Sequence, residues 1–473
     1  MTSSKGSIYL IGIGGIGMSG LARYYKTQGF KVSGSDSAES PMTLALRKEG
    51  IAVKIGHTAG AMKRGVGLVI YNRAIRADNP ELTAAHRIGA RVIPYAEALG
   101  ELTEEFSTIA ITGSHGKSTT TALAALALIA GGLDPMVLIG TNLKEFGGKN
   151  VRIGRDVAKR KNGWLVMEAD DFGGAFWKYS PAVSIVTNID REHLDFYKNL
   201  GGVKKGFLRF ISNTISGGTL ILNREDKILF SLKSKITVIA KAKVLRVVWY
   251  STRDRTADAP AGKIKKVIQI PGEHNLSNAT AVYELGKLLK IPEKKTLGAI
   301  GAYQGAWRRM EHRGELSFGG GAKGRVGTRP STMPVYDDYA HHPTEIVATL
   351  QGFREKFPCT PIVCVFQPHQ TKRLQALFKE FTSAFAAADA LILIPSYTVA
   401  GRDNARSPFT AERLAKTIQK KYPHKIVHYL AKPARIKKFL KETLCASPRC
   451  CYDACIVMMG AGDIVNYTDF LLK

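Results

Sequence analysis

Residues 108–119 read Thr108-Ile109-Ala110-Ile111-Thr112-Gly113-Ser114-His115-Gly116-Lys117-Ser118-Thr119, and a helical pattern runs on from 117 to 130. A β-favouring apolar run turns through glycines into a helix. Glycines let backbone N–H groups point inward around phosphate oxygens, and the N-terminus of the new helix adds partial positive charge. The triplet Gly116-Lys117-Ser118 at such a junction predicts a phosphate-binding loop. Lys117 would reach the terminal phosphates, and Ser118 would coordinate Mg²⁺. Ile111 stands where the full pattern has its first glycine. A tight turn that binds nothing is the competing reading, and it leaves the triplet unexplained.

Working outward, short apolar runs alternate with helical patterns almost throughout. That alternation signals α/β architecture with parallel sheets. The 473 residues exceed what one core usually supports, so two to four domains are expected. Three blocks separate, at about residues 1–106, 107–313 and 314–473. The first carries strands at 7–11, 31–35, 66–71 and 91–93, with helices at 16–28 and 80–88. The second continues from 108–112 with strands at 164–167, 183–187 and 219–222, and a late helix at 276–289. The third has strands near 334–336, 362–366, 390–394 and 455–459. The stretch 319–332, rich in Gly, Arg, Lys and Ser, reads as a loop.

Composition narrows the function. Hydrophobic residues make up 45% and charged residues 23%, which is ordinary globular usage. The longest apolar stretch, 122–130, is too short to span a bilayer, so no membrane insertion is expected. The apolar start 8–20 is broken by five glycines and opens a strand–turn–helix pattern, not an export signal. The expected location is the cytoplasm. The net charge of +29, from 68 Lys+Arg against 39 Asp+Glu, points to anionic partners. The basic residues are spread along the chain, and no aromatic-basic RNA module appears, so phosphorylated substrates are expected and nucleic acid is not. Cys445, Cys450, Cys451 and Cys455 lack paired Cys-x-x-Cys spacing, and ordinary thiols are expected rather than a zinc site.

Two polar clusters follow apolar strands in the second block. Glu168-Ala169-Asp170-Asp171 comes first, then Thr187-Asn188-Ile189-Asp190-Arg191-Glu192-His193-Leu194-Asp195. Acidic residues at the carboxyl end of a parallel strand face the ligand crevice, where one can hold Mg²⁺.

Taken together, these residues resemble the Mur ligases. Gly113, Ser114, His115, Gly116, Lys117, Ser118 and Thr119 look like that family's shortened phosphate loop, which accounts for Ile111. Glu168 and His193 match its Mg²⁺ ligands beside Ser118. Gly272-Glu273-His274-Asn275-Leu276-Ser277-Asn278-Ala279 resembles a signature whose asparagines, Asn275 and Asn278, lie by the nucleotide base. Gly305-Ala306-Trp307-Arg308-Arg309-Met310-Glu311 resembles the paired-arginine stretch, one of whose members, Arg308 or Arg309, contacts the nucleotide. Tyr336-Asp337-Asp338-Tyr339-Ala340-His341-His342-Pro343-Thr344-Glu345 resembles the opening of the C-terminal domain, with Asp338 at the nucleotide and Tyr339 and His341 at the substrate. The resemblance implies an N-terminal Rossmann-like UDP-binding domain, a central P-loop ATPase domain with a mostly parallel sheet, and a C-terminal Rossmann-like domain.

Within the family, the first block resembles the alanine-adding class. Gly12, Gly14, Gly15, Ile16 and Gly17 lie in the run 12–20 and are followed by Val32-Ser33-Gly34-Ser35-Asp36. Alone, Gly-x-Gly-x-x-Gly with a later aspartate suggests NAD. In this class the same arrangement, with Asp36, holds a UDP-sugar. Phe366-Gln367-Pro368-His369-Gln370-Thr371-Lys372-Arg373 also looks like that class, with His369 and Arg373 by the amino acid. Phe207 falls near a lysine that members adding later amino acids carbamylate, though Lys204 and Lys205 lie close. Two departures stand out: Gln370 replaces a usual basic residue, and Tyr71-Asn72-Arg73 replaces small residues before Ala74.

The activity so implied joins L-alanine to the carboxylate of UDP-N-acetylmuramate, with ATP and Mg²⁺, in peptidoglycan precursor synthesis. Lys117, Glu168, His193, His341, His369 and Arg373 are the expected catalytic set. A monomer or weak dimer is expected. The alternatives are a ligase that recycles a murein tripeptide and a catalytically silent regulator binding UDP-sugar or NAD.

Overall fold

The structure is a computed structural model and describes residues 5–155, 163–254, 256, 258–317, 332–398, 407–446 and 454–473. Residues 319–331 of the expected loop lie outside them. So do Cys450 and Cys451, and the side chain of Cys445 is not described either.

Three sheets form. The first contains β1 (Lys5–Ile11), β2 (Phe30–Asp36), β3 (Ala52–Ile55), β4 (Val66–Tyr71) and β5 (Arg91–Pro94), in the order β3-β2-β1-β4-β5 and all parallel. The order reverses between β1 and β4, which opens a crevice at their carboxyl ends. The second contains β6 (Ser107–Thr112), β7 (Met136–Leu143), β8 (Lys149–Arg152), β9 (Trp164–Glu168), β10 (Val183–Val186), β11 (Thr219–Asn223) and β12 (Arg246–Tyr250). Its order is β12-β11-β10-β6-β9-β7-β8, parallel except for β8. The third contains β13 (Glu311–Leu316), β14 (Met333–Asp338), β15 (Ile362–Phe366), β16 (Ala390–Leu393), β17 (Ile426–Tyr429) and β18 (Cys455–Met459). Its order is β13-β14-β18-β15-β16-β17, with β13 antiparallel.

The chain divides into two compact units: Met1–Ile268 with Leu276–Tyr303, and Gln269–Asn275 with Gln304–Lys473. The first unit holds the first two sheets, and one continuous apolar cluster runs through it from Ile8 to Leu245. In the second unit, separate clusters cover the two faces of the third sheet. Parallel sheets covered on both faces read as unbroken apolar runs. Accordingly β10 and β15 are buried at every residue. Cys364 and Cys455 are buried in β15 and β18 as free thiols. Among the described residues no helix is long and apolar enough to cross a membrane.

The second unit owes part of its sheet to a strand that crosses an expected boundary. β13 runs through residues 313 and 314 and pairs with β14 from Glu311 to Leu316. Arg313 ties it down through ion pairs to Asp337 and to Asp469, the latter at 2.6 Å.

A buried carboxylate pins the first sheet. Glu81 has no solvent exposure. It accepts hydrogen bonds from Tyr9 Oη at 3.1 Å, Ser35 Oγ at 2.5 Å and Thr58 N at 3.3 Å, and His57 Nδ1 lies 3.1 Å away. One acid thus ties β1, β2 and the segment after β3 to the helix Pro80–Arg87. Its removal leaves two buried hydroxyls, those of Tyr9 and Ser35, without this acceptor. Glu81→Ala should cost about 3 kcal/mol of stability, a size typical of breaking a buried network. Thermal melting should show the loss, and Glu81→Gln, which keeps an acceptor, should lose clearly less.

Candidate active site

The phosphate loop is built by backbone geometry and by props from a neighbouring strand end. Gly113 and Gly116 have φ of +142° and +82°. A Cβ on Gly113 would overlap Thr187 Oγ1, and one on Gly116 would lie 2.5 Å from Asn278 Oδ1. Only glycine fits either place. Thr187, Asn188 and Asp190, which follow β10, hold the loop from below. Asn188 Oδ1 accepts from His115 N at 2.8 Å, while Asn188 Nδ2 and Thr187 Oγ1 donate to His115 O at 3.0 and 2.6 Å. Asp190 N donates to Ser114 Oγ at 2.7 Å, and Asp190 Oδ2 lies 3.1 Å from His115 Nε2. The helix Lys117–Ala130 then starts on Gly116 with no side-chain cap and no acid in its first turn. Its N–H groups stay available to an anion. Ser118 and Thr119 are buried in that first turn.

Lys117 is the loop's charge. Its Nζ donates to Gly113 O at 2.6 Å, Ser114 O at 3.2 Å and Asp171 Oδ1 at 3.0 Å. Burial works against the ammonium, but the carboxylates of Asp171, Asp170 and Glu168 outweigh it and raise the Lys117 pKa above the ordinary lysine value. The side chain is therefore a permanent cation at neutral pH.

The acidic cluster divides its work. Glu168, at the end of β9, accepts from Gly140 N at 2.9 Å. Asp170, Asp171 and His193 offer ligand atoms that all lie within 4.8 Å of one another. Asp171 Oδ2 is buried with no hydrogen-bond partner. Carboxylate oxygens with one imidazole suit a hard divalent cation, and the orphaned oxygen fits such a ligand. His193 adopts φ +53° and packs its ring edge-on to Phe172 at 4.8 Å. Sequence reasoning singled out Glu168 and His193 and missed Asp171 as the partner of Lys117. It also missed Asn188 and Asp190 as props, although both stretches had been marked.

The glycine loop after β1 is the second strand–turn–helix junction of this unit. Gly12 N and Ile13 N donate to Ser35 O at 2.8 and 3.0 Å, and Gly14 N donates to Asp36 Oδ2 at 2.8 Å. Gly12 has φ +80°, and a Cβ on Gly17 would overlap the Tyr95 hydroxyl. The helix Ile16–Thr27 starts on Gly15, again without a side-chain cap. Asp36 thus sits at the mouth of the crevice between β1 and β4.

In the second unit the expected residues gather at the carboxyl ends of β14 and β15. Asp338 is buried and accepts from Met310 N and Ala340 N, each at 2.8 Å. Burial raises its pKa, against the pull of Arg309. Arg308 is buried and donates to Gly460 O and, at 3.0 Å, to Gly462 O. Arg309 is half-buried, with its guanidinium 5.1 Å from the Tyr339 ring and 3.8 Å from Glu345. His341 Nδ1 lies 3.0 Å from Tyr339 O, and its ring is 5.7 Å from that of His369. Arg373 Nη1 lies 3.3 Å from His369 Nδ1, and the His369 ring stacks on Tyr397 at 5.5 Å. His342 caps the helix Pro343–Lys356, its ring accepting from Thr344 N at 3.3 Å. Asn275 donates to Pro271 O at 2.6 Å in this unit, whereas Asn278 belongs to the first unit beside Gly116.

Three family models match in sequence order: Mur ligase family, catalytic domain, over residues 7–107; Mur ligase middle domain, over 111–286; and Mur ligase, glutamate ligase domain, over 324–462. A UDP-N-acetylmuramate–L-alanine ligase of Desulfosudis oleivorans is 36% identical, covering 97% of this chain and 96% of that protein. The chain belongs to the Mur ligase family. The ligase of the same name from Desulfatibacillum aliphaticivorans is also 36% identical, over 100% of this chain and 99% of its own. The crystal structure of a UDP-N-acetylmuramate–alanine ligase from Thermotoga maritima matches with a TM-score of 0.73 and 25% identity, covering 99% of this chain and 98% of that one. A murein peptide ligase from Psychrobacter arcticus shares the fold, with a TM-score of 0.68 at 21% identity. This Mur ligase has the family's three domains, and ATP dependence comes with the family.

The loop geometry makes a direct prediction. Gly113→Ala should displace Thr187 and tilt the loop away from its props. Nucleotide binding, followed by calorimetry, should weaken by about 100-fold or more, because several oriented N–H donors are lost together. The melting temperature should fall by a few degrees as well, because the strain and overlap cost about 1–3 kcal/mol.

Proposed function

We propose that this Mur ligase joins L-alanine to the carboxylate of UDP-N-acetylmuramate, consuming ATP and releasing ADP and phosphate, as a step in peptidoglycan precursor synthesis. The observation that carries the reading is the Lys117 ammonium, held at the mouth of a propped phosphate loop by Asp171 with His193 beside it. The full-length relatives named for that activity support the same substrates.

A carboxylate does not react with an amine at neutral pH, because oxide is too poor a leaving group. In the first step a carboxylate oxygen of the sugar acid attacks the γ-phosphorus of ATP, and the bond to the ADP oxygen breaks. The product is an acyl phosphate. The obstacle is repulsion: two unit charges about 4 Å apart repel by roughly 4 kcal/mol at an effective dielectric near 20. Lys117 and the open N-terminus of the helix Lys117–Ala130 offset that repulsion and steady the transferring group. Ser118, Glu168 and His193, with Asp170 and Asp171 alongside, would hold Mg²⁺, which supplies further charge neutralisation when bound. In the second step the amine nitrogen attacks the acyl carbon, phosphate leaves, and the amine gives up a proton. Arg373 holds the amino acid's carboxylate, and His369 or His341 accepts the proton.

In the first unit, Gly12, Gly14, Gly15, Ile16, Gly17 and Asp36 hold the UDP-sugar, and Gly113–Thr119 with Asn278 hold ATP. In the second unit, Asn275, Arg309 and Asp338 serve the nucleotide, Tyr339 and His341 serve the substrate, and Arg308 supports them from its buried position on Gly460 and Gly462. We place the domains at residues 1–106, 107–303 and 304–473, moving the last boundary so that β13 stays with its sheet. The substrates place the work in the cytoplasm, and the chain acts as a monomer or weak dimer.

Phosphate release with UDP-N-acetylmuramate, ATP and Mg²⁺ should depend on L-alanine in a panel that includes glycine, L-serine and a murein tripeptide. Release driven only by the tripeptide, or by none of them, would overturn the reading. Lys117→Ala should lower kcat by about 1,000-fold, the size of losing a principal charge-stabilising group. Chelation of divalent cations should stop release, and Glu168→Gln or His193→Ala should raise the Mg²⁺ concentration needed by more than tenfold.

A further inference from the structure

We propose that Arg73 is a substrate-binding residue that grips the acid of the sugar substrate as it passes from the glycine loop to the phosphate loop. The inference rests on the activity proposed above and goes beyond the residues assigned there.

Arg73 follows β4 at the edge of the crevice. Its neighbour Asn72 lies against the glycine loop: Asn72 N donates to Ile11 O at 3.0 Å, and a Cβ on Gly12 would come within 3.1 Å of Asn72 Cβ. The Arg73 side chain leaves that loop and reaches the acidic cluster after β9. Its guanidinium lies 4.7 Å from the Phe172 ring and 5.5 Å from the Phe196 ring, and Nη1 donates to Phe172 O at 3.3 Å. It fills the space over Gly173, where a Cβ would overlap Nη1. Phe172 also meets the His193 ring edge-on and follows Asp171 in the chain.

The substrate carries two anionic groups, a diphosphate between the uridine and the sugar and a carboxylate on the far side of the sugar. Its diphosphate belongs on the loop at Gly12–Gly17, and its carboxylate must arrive near Lys117, Asp171 and His193. Arg73 spans that route. Stacking on aromatic rings fixes the guanidinium plane without using its N–H donors. Among the described residues, one carbonyl takes one of the five N–H groups, and no carboxylate forms an ion pair with it. The remaining donors are left to a ligand, and a bidentate guanidinium–carboxylate pair is the chemistry a guanidinium supplies. A cation here also screens the incoming acid from Asp170 and Asp171.

The test is calorimetric binding of two nucleotide-sugars without ATP. UDP-N-acetylmuramate carries the acid, and UDP-N-acetylglucosamine lacks it. Arg73→Gln should raise the Kd of the first by about 10- to 100-fold, the range of one charge-assisted hydrogen-bond pair. The Kd of the second should stay within about twofold. Arg73→Lys should recover part of the loss, and it serves as the reporter if the glutamine variant melts early. Unchanged affinity for UDP-N-acetylmuramate overturns the proposal, because the residue is then only a latch. A parallel fall for both sugars also overturns it, because the contact is then to the diphosphate. Alanine-dependent phosphate release by the wild-type chain is read separately. If that release is present and Arg73→Gln binds normally, this proposal alone fails; if it is absent, the underlying reading fails with it.

Discussion

A lysine ammonium held in a ring of oxygens is the interaction on which the first unit's chemistry depends. Lys117 Nζ touches two loop carbonyls and Asp171, and that one contact set closes the phosphate loop onto the acidic strand end. A buried cation is costly unless paired. Here the pairing group is a fully buried aspartate, so loop and acid must form together. The same aspartate leaves its second oxygen without a partner. The arrangement is thus satisfied on the lysine side, and one buried carboxylate oxygen is left over.

Much of this was legible in the chain. The run from Thr108 to Thr119 announced a strand, a glycine turn and a helix, and β6 and the helix Lys117–Ala130 follow it closely. Interior strands such as β10 and β15 stood out because both faces are buried and the apolar run is unbroken. Five strands escaped notice because they lie at sheet edges: β3, β8, β12, β13 and β17. An edge strand buries less and is commonly dressed with charge, as Glu-His-Arg-Gly-Glu-Leu in β13 is. β7 was missed for another reason. Gly140 interrupts its apolar run, and a Cβ there would lie 2.9 Å from a Glu168 oxygen. The glycine that blurred the strand is the one that makes room for the carboxylate.

The site was legible as residue types but not as pairings. Glu168 and Asp171 are both acidic residues at one strand end, and only the turn after β9 decides which meets Lys117. Arg308 and Arg309 are adjacent and identical, yet one is buried on two carbonyls and the other lies half-buried beside Tyr339 and Glu345. His341 and His342 part in the same way, one beside His369 and the other capping a helix. Neighbouring residues point to different places in a loop, and that direction depends on backbone angles that spacing does not encode.

Two loops in this unit solve one problem with the same means. The helices Ile16–Thr27 and Lys117–Ala130 both begin on a glycine, without a capping side chain and without an acid in the first turn. Some other helices carry a side-chain cap, from Ser40, Asn79, Asn199, Asp226 or Thr410, and others, such as Lys233–Ala242 and Pro260–Lys265, begin uncapped on Leu232 and Ala259; what marks these two is the glycine at the start. A side-chain cap satisfies the end of a helix and stabilises it by about 1 kcal/mol. An uncapped start leaves N–H groups open to solvent or to a ligand, and in both loops glycine keeps the approach clear of a Cβ. The difference lies in what accompanies the glycines. The first loop is crossed by the Asp36 carboxylate at Gly14 N, which suits a neutral hydroxyl-bearing ligand portion beside a diphosphate. The second carries Lys117 and an acid cluster, which suit a phosphate that is to be transferred. Both loops share the backbone trick, so chemistry is assigned by the side chains around them, and the glycine pattern alone does not distinguish binding from catalysis.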